Sequence, residues 1–486
     1  MGLTAWGTGV LLRISQCHED EAKPLLFSFW GFGLVLASYF FLLPLRDEAG
    51  VALGSTALPV LFAASLVLTM AVAPSASALL QRTPDKGAAL HLLYRAMALS
   101  IIAFFGAYQL AGSPAREASG DAKGADMTAA QRAVRCAFFL WVSLINLVGV
   151  ATVWARASDV FVPEASARLF GILGAGATLG QLVASLLAAG VARLPVFRVG
   201  GVSLAPMLLS AACFESAGQL AARVALTPAA TALARTRQEG SAPTPAENPW
   251  ASLRRGIQVI RSSSYLQNIC VFVVFNYFIS SLFYFEKTII VARVPDAGSR
   301  TTWFAMINSA SASLILALQL TVTGRAIGRL GVGRALVVLP LSASALLLGV
   351  SLRAAPATIA LAEVARKVLT YALARPTREV LFTVLTREEK YGAKVFMDTV
   401  VQRVGGAAAA ALFATAVPAL GLGPRPLALC ALPFCLAWAG AAKLPGGGDD
   451  EPEDPAAEAL LGPSLEESAS LCRSRPSITR SRPNTP

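Results

Sequence analysis

Apolar runs of membrane length recur along this chain, and short charged segments separate them. Inside lipid every backbone N–H and C=O must be satisfied within the segment, so a run of about 20 apolar residues crosses as a helix. Such runs lie near 25–45, 57–80, 90–112, 134–154, 169–192 and 200–222, and again near 265–285, 302–323, 335–352, 356–374, 396–418 and 425–443. The pattern predicts an all-α polytopic membrane protein, with twelve transmembrane helices in two six-helix bundles. Between the two sets, Arg223–Arg261 is rich in Ala, Thr, Pro and Arg and carries an aromatic-basic NPWASLRRG near its end. The predicted organisation is a cytoplasmic N-terminal segment (1–24), an N-terminal bundle (25–222), a cytoplasmic linker (223–262), a C-terminal bundle (263–443) and a disordered cytoplasmic tail (444–486). That tail runs from GGGDDEPEDP to RSRPSITRSRPNTP, a composition with too little apolar surface to build a core.

Composition excludes most soluble classes. Apolar residues make up 55% and charged residues 14%, where a soluble domain carries about a quarter charged. A net charge of +12 would suggest nucleic acid in a soluble protein. Here the basic residues sit in loops and tails, so they read as topogenic charge on the cytoplasmic side, with attraction to anionic lipid second; no nucleic-acid partner is expected. Arg82, Lys86, Arg156, Arg168, Arg325, Arg329, Arg334 and the basic residues of 375–394 place both termini inside. Arg116, Lys123, Arg132 and Arg135, in a predicted outer loop over 113–135, oppose that orientation.

The seven cysteines are scattered without a CxxC, and the two histidines are His18 and His91, so no metal and no cofactor is expected. The cysteines read as small hydrophobic packers. The N-terminal stretch lacks the apolar core and cleavage site of a signal peptide. With no HExxH, P-loop or GxSxG, the chain is not expected to be an enzyme. It is expected to be monomeric in its membrane.

The two halves echo each other. SYFFLLPLRDE (Ser38–Glu48) parallels NYFISSLFYFEK (Asn276–Lys287), and ARASDVFVPEASARLFG (Ala155–Gly171) parallels ARPTREVLFTVLTREEKYG (Ala374–Gly392). Duplicated halves match a transporter architecture with substrate at midplane between bundles. Gly176, Gly180, Ala184 and Ala188 form a small-residue stripe for close helix approach.

Ionisable residues inside spans are costly and face a cavity or a partner. Arg46, Asp47 and Glu48 close the first span, either as a hydrated helix end or as part of a translocation path. In the second reading Arg46 is a bidentate anion contact and Asp47 its resting partner. Glu286 and Lys287 occupy the equivalent place in the second half. In the tenth span Glu363 precedes Arg366 and Lys367 by three and four residues, so the three share one helix face. They either neutralise one another or line a net-positive cavity for an anionic substrate. Glu215 with Gln219, Asn146 and Asn308 read as interhelical hydrogen-bonding positions.

Four segments carry a family resemblance: YFFLLPLRDEAGV, FFLWVSLINLVGVATVWARASDVF, LFGILGAGATLG and above all ARPTREVLFTVLTREEKYGAKVFMDTVVQR. They resemble the ATP:ADP antiporter family, the nucleotide carriers of plastids and intracellular bacterial parasites, over most of residues 25–443. TGRAIGRLGVGRAL, between the eighth and ninth spans, is similar to the GxxxDRxGR-type loop of the major facilitator superfamily, without its aspartate. The resemblance implies twelve spans, a major facilitator-like fold and an alternating-access carrier without ATP hydrolysis, exchanging nucleotides or other small anions. The family's first-span Lys-Asp pair is matched by Arg46-Asp47. Val142 stands near the place of its fourth-helix glutamate, and Gly406 near that of a later lysine, with Arg403 the nearest base. These departures point to the branch without an assigned substrate. The candidate substrate-binding set is Arg46, Asp47, Glu286, Lys287, Glu363, Arg366, Lys367 and Arg403. The competing reading is a non-transporting receptor or scaffold signalling through the tail.

Overall fold

The structure is a computed structural model that describes residues 17–54, 56–82, 85–112, 127–192, 196–199, 201–228, 231, 249–294, 296–381 and 396–442. The expected disordered tail, the loop positions Arg116 and Lys123, and the centre of the 375–398 segment lie outside the described residues.

The chain is helical where the apolar runs are. In the first half the helices are α1 (Glu19–Leu53), α2 (Leu58–Arg82), α3 (Lys86–Ala111), α4 (Ala129–Val160), α5 (Pro163–Val191) and α6 (Ala205–Arg223). A short antiparallel hairpin, Arg198–Val199 with Val202–Ser203, precedes α6. Its turn needs a left-handed residue, supplied by Gly201 at φ 77°. The second half has α7 (Pro249–Ser262), α8 (Ser264–Val291), α9 (Ala297–Thr321), α10 (Thr323–Leu352) and α11 (Pro356–Val368). A π-helical stretch, Leu369–Ala374, leads from α11 into α12 (Arg375–Leu381), and a second, Met397–Val401, leads into α13 (Gln402–Leu420). The last two are α14 (Pro424–Cys430) and α15 (Leu432–Ala441).

Local chemistry starts these helices where they start. The Asp85 side chain accepts from the N–H groups of Gly87 and Ala88 to open α3, and Thr128 and Gln131 form a reciprocal capping box at α4. Proline in the first turn opens α5, α6, α11, α14 and α15, where its missing N–H has no helical partner to lose. Seven of the described helices are long and apolar enough to cross a membrane. The chain is a multi-pass integral membrane protein. Large apolar side chains such as Val60, Leu92, Leu110, Leu352 and Leu361 lie exposed on its flanks, as a surface solvated by lipid tails allows.

Four expectations need correction. Arg132 and Arg135 lie within the first turns of α4, not in a loop; the buried Arg135 guanidinium sits over the Tyr108 ring. The linker contains the amphipathic helix α7, which packs on α2 and α8. The stretch from Thr323, expected as a loop, is helical with a break at Gly331, whose φ of 73° no other residue type adopts readily. Helix also continues through Arg375–Leu381, where a loop was expected to begin.

The helices before Arg223 pack chiefly on one another, around Leu42, Phe138, Ile145 and Phe214. Those after Pro249 pack around Phe272, Phe283, Phe285, Leu347 and Trp438. The small-residue stripe of α5 lies against α1 as the sequence suggests. A Cβ at Gly180 would run into the backbone of Gly33, and one at Gly176 into Phe29. Ala184 and Ala188, further along the stripe, pack with Ala305 of α9 and so join the two halves. Gly180→Val is expected to lower the thermal midpoint in detergent, by an overpacking cost of about 1–3 kcal/mol. Gly190→Ala, whose Cβ meets nothing within 4 Å, should leave the midpoint unchanged.

Candidate functional site

Pro44 lies inside α1 and removes one N–H from its ladder just before the charged triplet Arg46, Asp47 and Glu48. The triplet lies more than a turn before the end of the helix, and Asp47 and Glu48 are buried. A hydrated helix end is therefore ruled out. Each carboxylate instead reaches across to the second half. Asp47 takes the Arg46 guanidinium at 2.9 Å on one oxygen and the Lys287 ammonium at 3.0 Å on the other. The Tyr284 hydroxyl also donates to Asp47, at 3.3 Å. Arg46 lies over the Phe139 ring, 5.1 Å from its centroid, and Lys287 over Tyr284 and Phe304, so ring faces supply part of the lost hydration.

Glu48 is gripped by Arg300 of α9 through both carboxylate oxygens, at 2.6–3.1 Å, in the fork geometry that only a guanidinium offers. Arg300 also donates to the carbonyl of Val294. Asp296 caps α9 from outside the span by accepting the N–H of Ser299 at 2.6 Å. Burial works against that carboxylate, and the donors at Ser299 and Gly298 outweigh it and hold its pKa below the usual range. Behind Glu48 lies a cavity of about 20 Å³, room for a single water, lined by Tyr108 and Arg135 among others.

The tenth apolar run supplies the opposite wall. Glu363 receives Arg366 at 2.9 Å and Lys367 at 3.6 Å, as the one-face spacing predicts. Arg366 also donates to Ser280 at 2.8 Å, and Lys367 to the Asn308 side-chain oxygen at 2.8 Å. The field of Lys287 reaches Glu363 and that of Asp47 reaches Lys367, so the two groups form one cluster. Arg403 on α13 joins it, close to Arg46 and to Tyr39 and Tyr277, with no carboxylate partner among the described residues. Five cations (Arg46, Lys287, Arg366, Lys367 and Arg403) thus surround two carboxylates, Asp47 and Glu363. The cations Arg46, Arg366 and Lys367 keep 10–19% of their side-chain surface open, whereas Asp47 and Glu363 keep 4%. Lys287, at 4%, is as enclosed as the acids.

Both π-helical stretches border this cluster. One follows Lys367 directly and the other ends just before Gln402 and Arg403. Each wide turn shifts the phase of the helix beyond it, and such turns cluster at functional sites.

Seven of the eight sequence candidates come together. Glu286 does not: it points away from its neighbour Lys287 and hydrogen-bonds to nothing in the cluster. Arg300 escaped the sequence reading. It looks like an ordinary charge near a helix start, and its DAGS capping sequence was the one clue. Asn308 acts as the interhelical hydrogen-bonding position that the sequence suggests, by accepting from Lys367. Glu215 also serves as glue, pairing with Arg95 of α3 and accepting from Gln219. Gly406 packs where a Cβ would sit 3.2 Å from the Ser281 hydroxyl, and Val142 is fully buried, so neither place carries charge.

No protein-family model matches the chain, and no curated protein matches its sequence. Solved structures do match. A bacterial homologue of the human lysosomal transporter Spinster, inward-facing and unoccupied, superposes with a TM-score of 0.56 at 11% identity, covering 91% of this chain and 98% of that one. A bacterial homologue of the iron transporter ferroportin, inward-facing, gives 0.54 at 11% identity, covering 86% and 98%. The nucleoside transporter NupG gives 0.51 at 12% identity, covering 87% and 98%. The chain shares the fold of these solved transporters. In such a fold Asp47–Lys287 and Glu48–Arg300 are ion pairs between the halves, adjacent in sequence on α1 and divided between α8 and α9.

Arg300→Ala, which strips Glu48 of its bidentate partner, is expected to destabilise the protein by about 3–5 kcal/mol, read as a fall in thermal midpoint in detergent. The double variant Glu48→Gln with Arg300→Gln should recover much of that loss, because no charge is then left buried without its partner.

Proposed function

We propose that the chain is a secondary carrier for small organic anions, with nucleotides the leading class, working by alternating access without ATP hydrolysis. The observation that carries this reading is the cationic excess of the cluster: five bases against two acids, at the junction of the halves. A set that merely neutralised itself would have matched charges. An arriving phosphate or carboxylate supplies the missing negative charge, and the guanidinium forks of Arg46, Arg366 and Arg403 suit its planar or tetrahedral oxygens.

Phe139 beside Arg46, Tyr284 and Phe304 beside Lys287, and Phe283 beside Arg366 add aromatic faces to the same cations. Cations for phosphate next to rings for a base are the complement of a nucleotide. The family resemblance favours nucleotides too, while Val142 and Gly406 at the two changed positions argue for a cargo other than the ATP/ADP pair. Solved relatives by fold are described as transporters, one of them for nucleosides.

In this mechanism the units 25–222 and 263–443 rock about the cluster. Asp47 holds Arg46 and Lys287 in the empty state. Substrate oxygens take over those cations, the Asp47–Lys287 bridge loosens, and the halves are freed to exchange sides. The site binds and moves its substrate without a bond being made or broken. The carrier acts as a single chain in the bilayer.

Counter-exchange of labelled nucleotides and common organic anions in proteoliposomes tests the proposal. Preloaded anion should drive uptake. Arg46→Ala and Arg366→Ala should each cut the initial rate at least about tenfold, with membrane insertion unchanged, since a charged hydrogen bond is worth about 1.5–3 kcal/mol. Equal rates in both variants would remove the anion cavity from the mechanism.

A further inference from the structure

Glu286 is buried to 1% of its surface, and neither carboxylate oxygen has a hydrogen-bond partner. No other acid among the described residues is in this condition. Glu286 and Lys287 are about 100° apart around α8, so they face different neighbours. Lys287 turns to Asp47. Glu286 is flanked on its own helix by Leu282, Phe283, Ile289 and Ile290, three or four residues away.

The charged groups around it are accounted for elsewhere. On α1, Arg46 and Asp47 belong to the cluster; on α11, Glu363, Arg366 and Lys367 bind one another, Ser280 and Asn308; on α13, Arg403 lies by Arg46. Arg254 and Arg261 of α7, Arg425 of α14, Cys430 of α14 and Cys435 of α15 make no hydrogen bond to it, since neither oxygen has a partner. Tyr265 donates to the Leu381 carbonyl and Tyr284 to Asp47. The one charge whose field reaches Glu286 among the described residues is Arg293, two turns on, and its guanidinium donates to the carbonyl of Ala354. An ionised carboxylate in such a place has lost its water and gained nothing in exchange. A carboxyl there keeps a proton instead.

We propose that Glu286 is a proton-binding site that couples the carrier's cycle to protons. With the halves arranged as here it is a neutral carboxylic acid. Opening of the Asp47–Lys287 bridge at the next residue moves this part of α8, admits water, and lets the acid release its proton to that water as the carboxylate forms. Closure takes a proton back from water. The coupling half of this proposal rests on the carrier reading above, whereas the proton site itself stands on the geometry of α8.

Two measurements test the two halves separately. Infrared spectroscopy of the purified protein in liposomes, titrated from about pH 6 to about pH 9, reads the carbonyl stretch of a protonated carboxylic acid. The wild type should show that band in the lower part of the range and E286Q should lack it. Absence of the band from the wild type, which needs no variant to fold, would overturn the proton site, as would an unchanged band in a monodisperse E286Q. The second measurement is anion flux into proteoliposomes with and without an imposed pH gradient. The wild type should respond to the gradient, and the ratio of the two fluxes should fall to unity in E286Q. An equal response in both proteins would overturn coupling through Glu286 while leaving the anion site intact. Absence of anion flux in every preparation would instead strike at the carrier reading and leave the infrared result standing.

Discussion

Charge held inside a bilayer has to be compensated by charge, and in this protein the compensation runs across the junction of two halves. Asp47 holds Arg46 on its own helix and Lys287 on the other side. One residue later Glu48 is clasped by Arg300. Neither acid is stable where it is without the opposite half, and neither base is stable without the acid. The ion pairs therefore do what apolar packing cannot do in lipid, where helix surfaces gain little by leaving a medium as apolar as themselves. They fix which faces of the halves meet.

Around that seam the remaining features fall into place. The small residues of α5 let α1 approach closely enough to carry its triplet to the junction. Ala184, Ala188 and Ala305 keep the same approach open between halves. The π-helical stretches lie beside Lys367 and Arg403. The result is a cluster in which bases outnumber acids. Glu286 is different in kind, because an acid without any counterion is stable only by holding a proton.

The helices themselves were legible because the bilayer leaves so few choices. Each apolar run became a helix at nearly its expected place, and Glu363, Arg366 and Lys367 met as their spacing required. Errors came where local chemistry overrode composition: Arg135 went into a helix opened by the Thr128–Gln131 box, and the Thr323 stretch was helical because nothing but Gly331 interrupts it. Arg300 was invisible for another reason. Its role depends on Glu48, some 250 positions away, and no local pattern records such a partner.

The sequence by itself determined that the chain is a multi-pass helical membrane protein, that its halves echo each other, and that bases and acids are concentrated in the first, seventh and tenth apolar runs. Those properties follow from hydropathy and helical period, which are local. The tertiary structure alone decided which charges neutralise one another, that Asp47 meets Lys287 and Glu48 meets Arg300, and that Glu286 stands apart from Lys287 beside it. Those are matters of direction around a helix axis and of contacts between distant segments, and a run of letters does not contain them until the helices are packed.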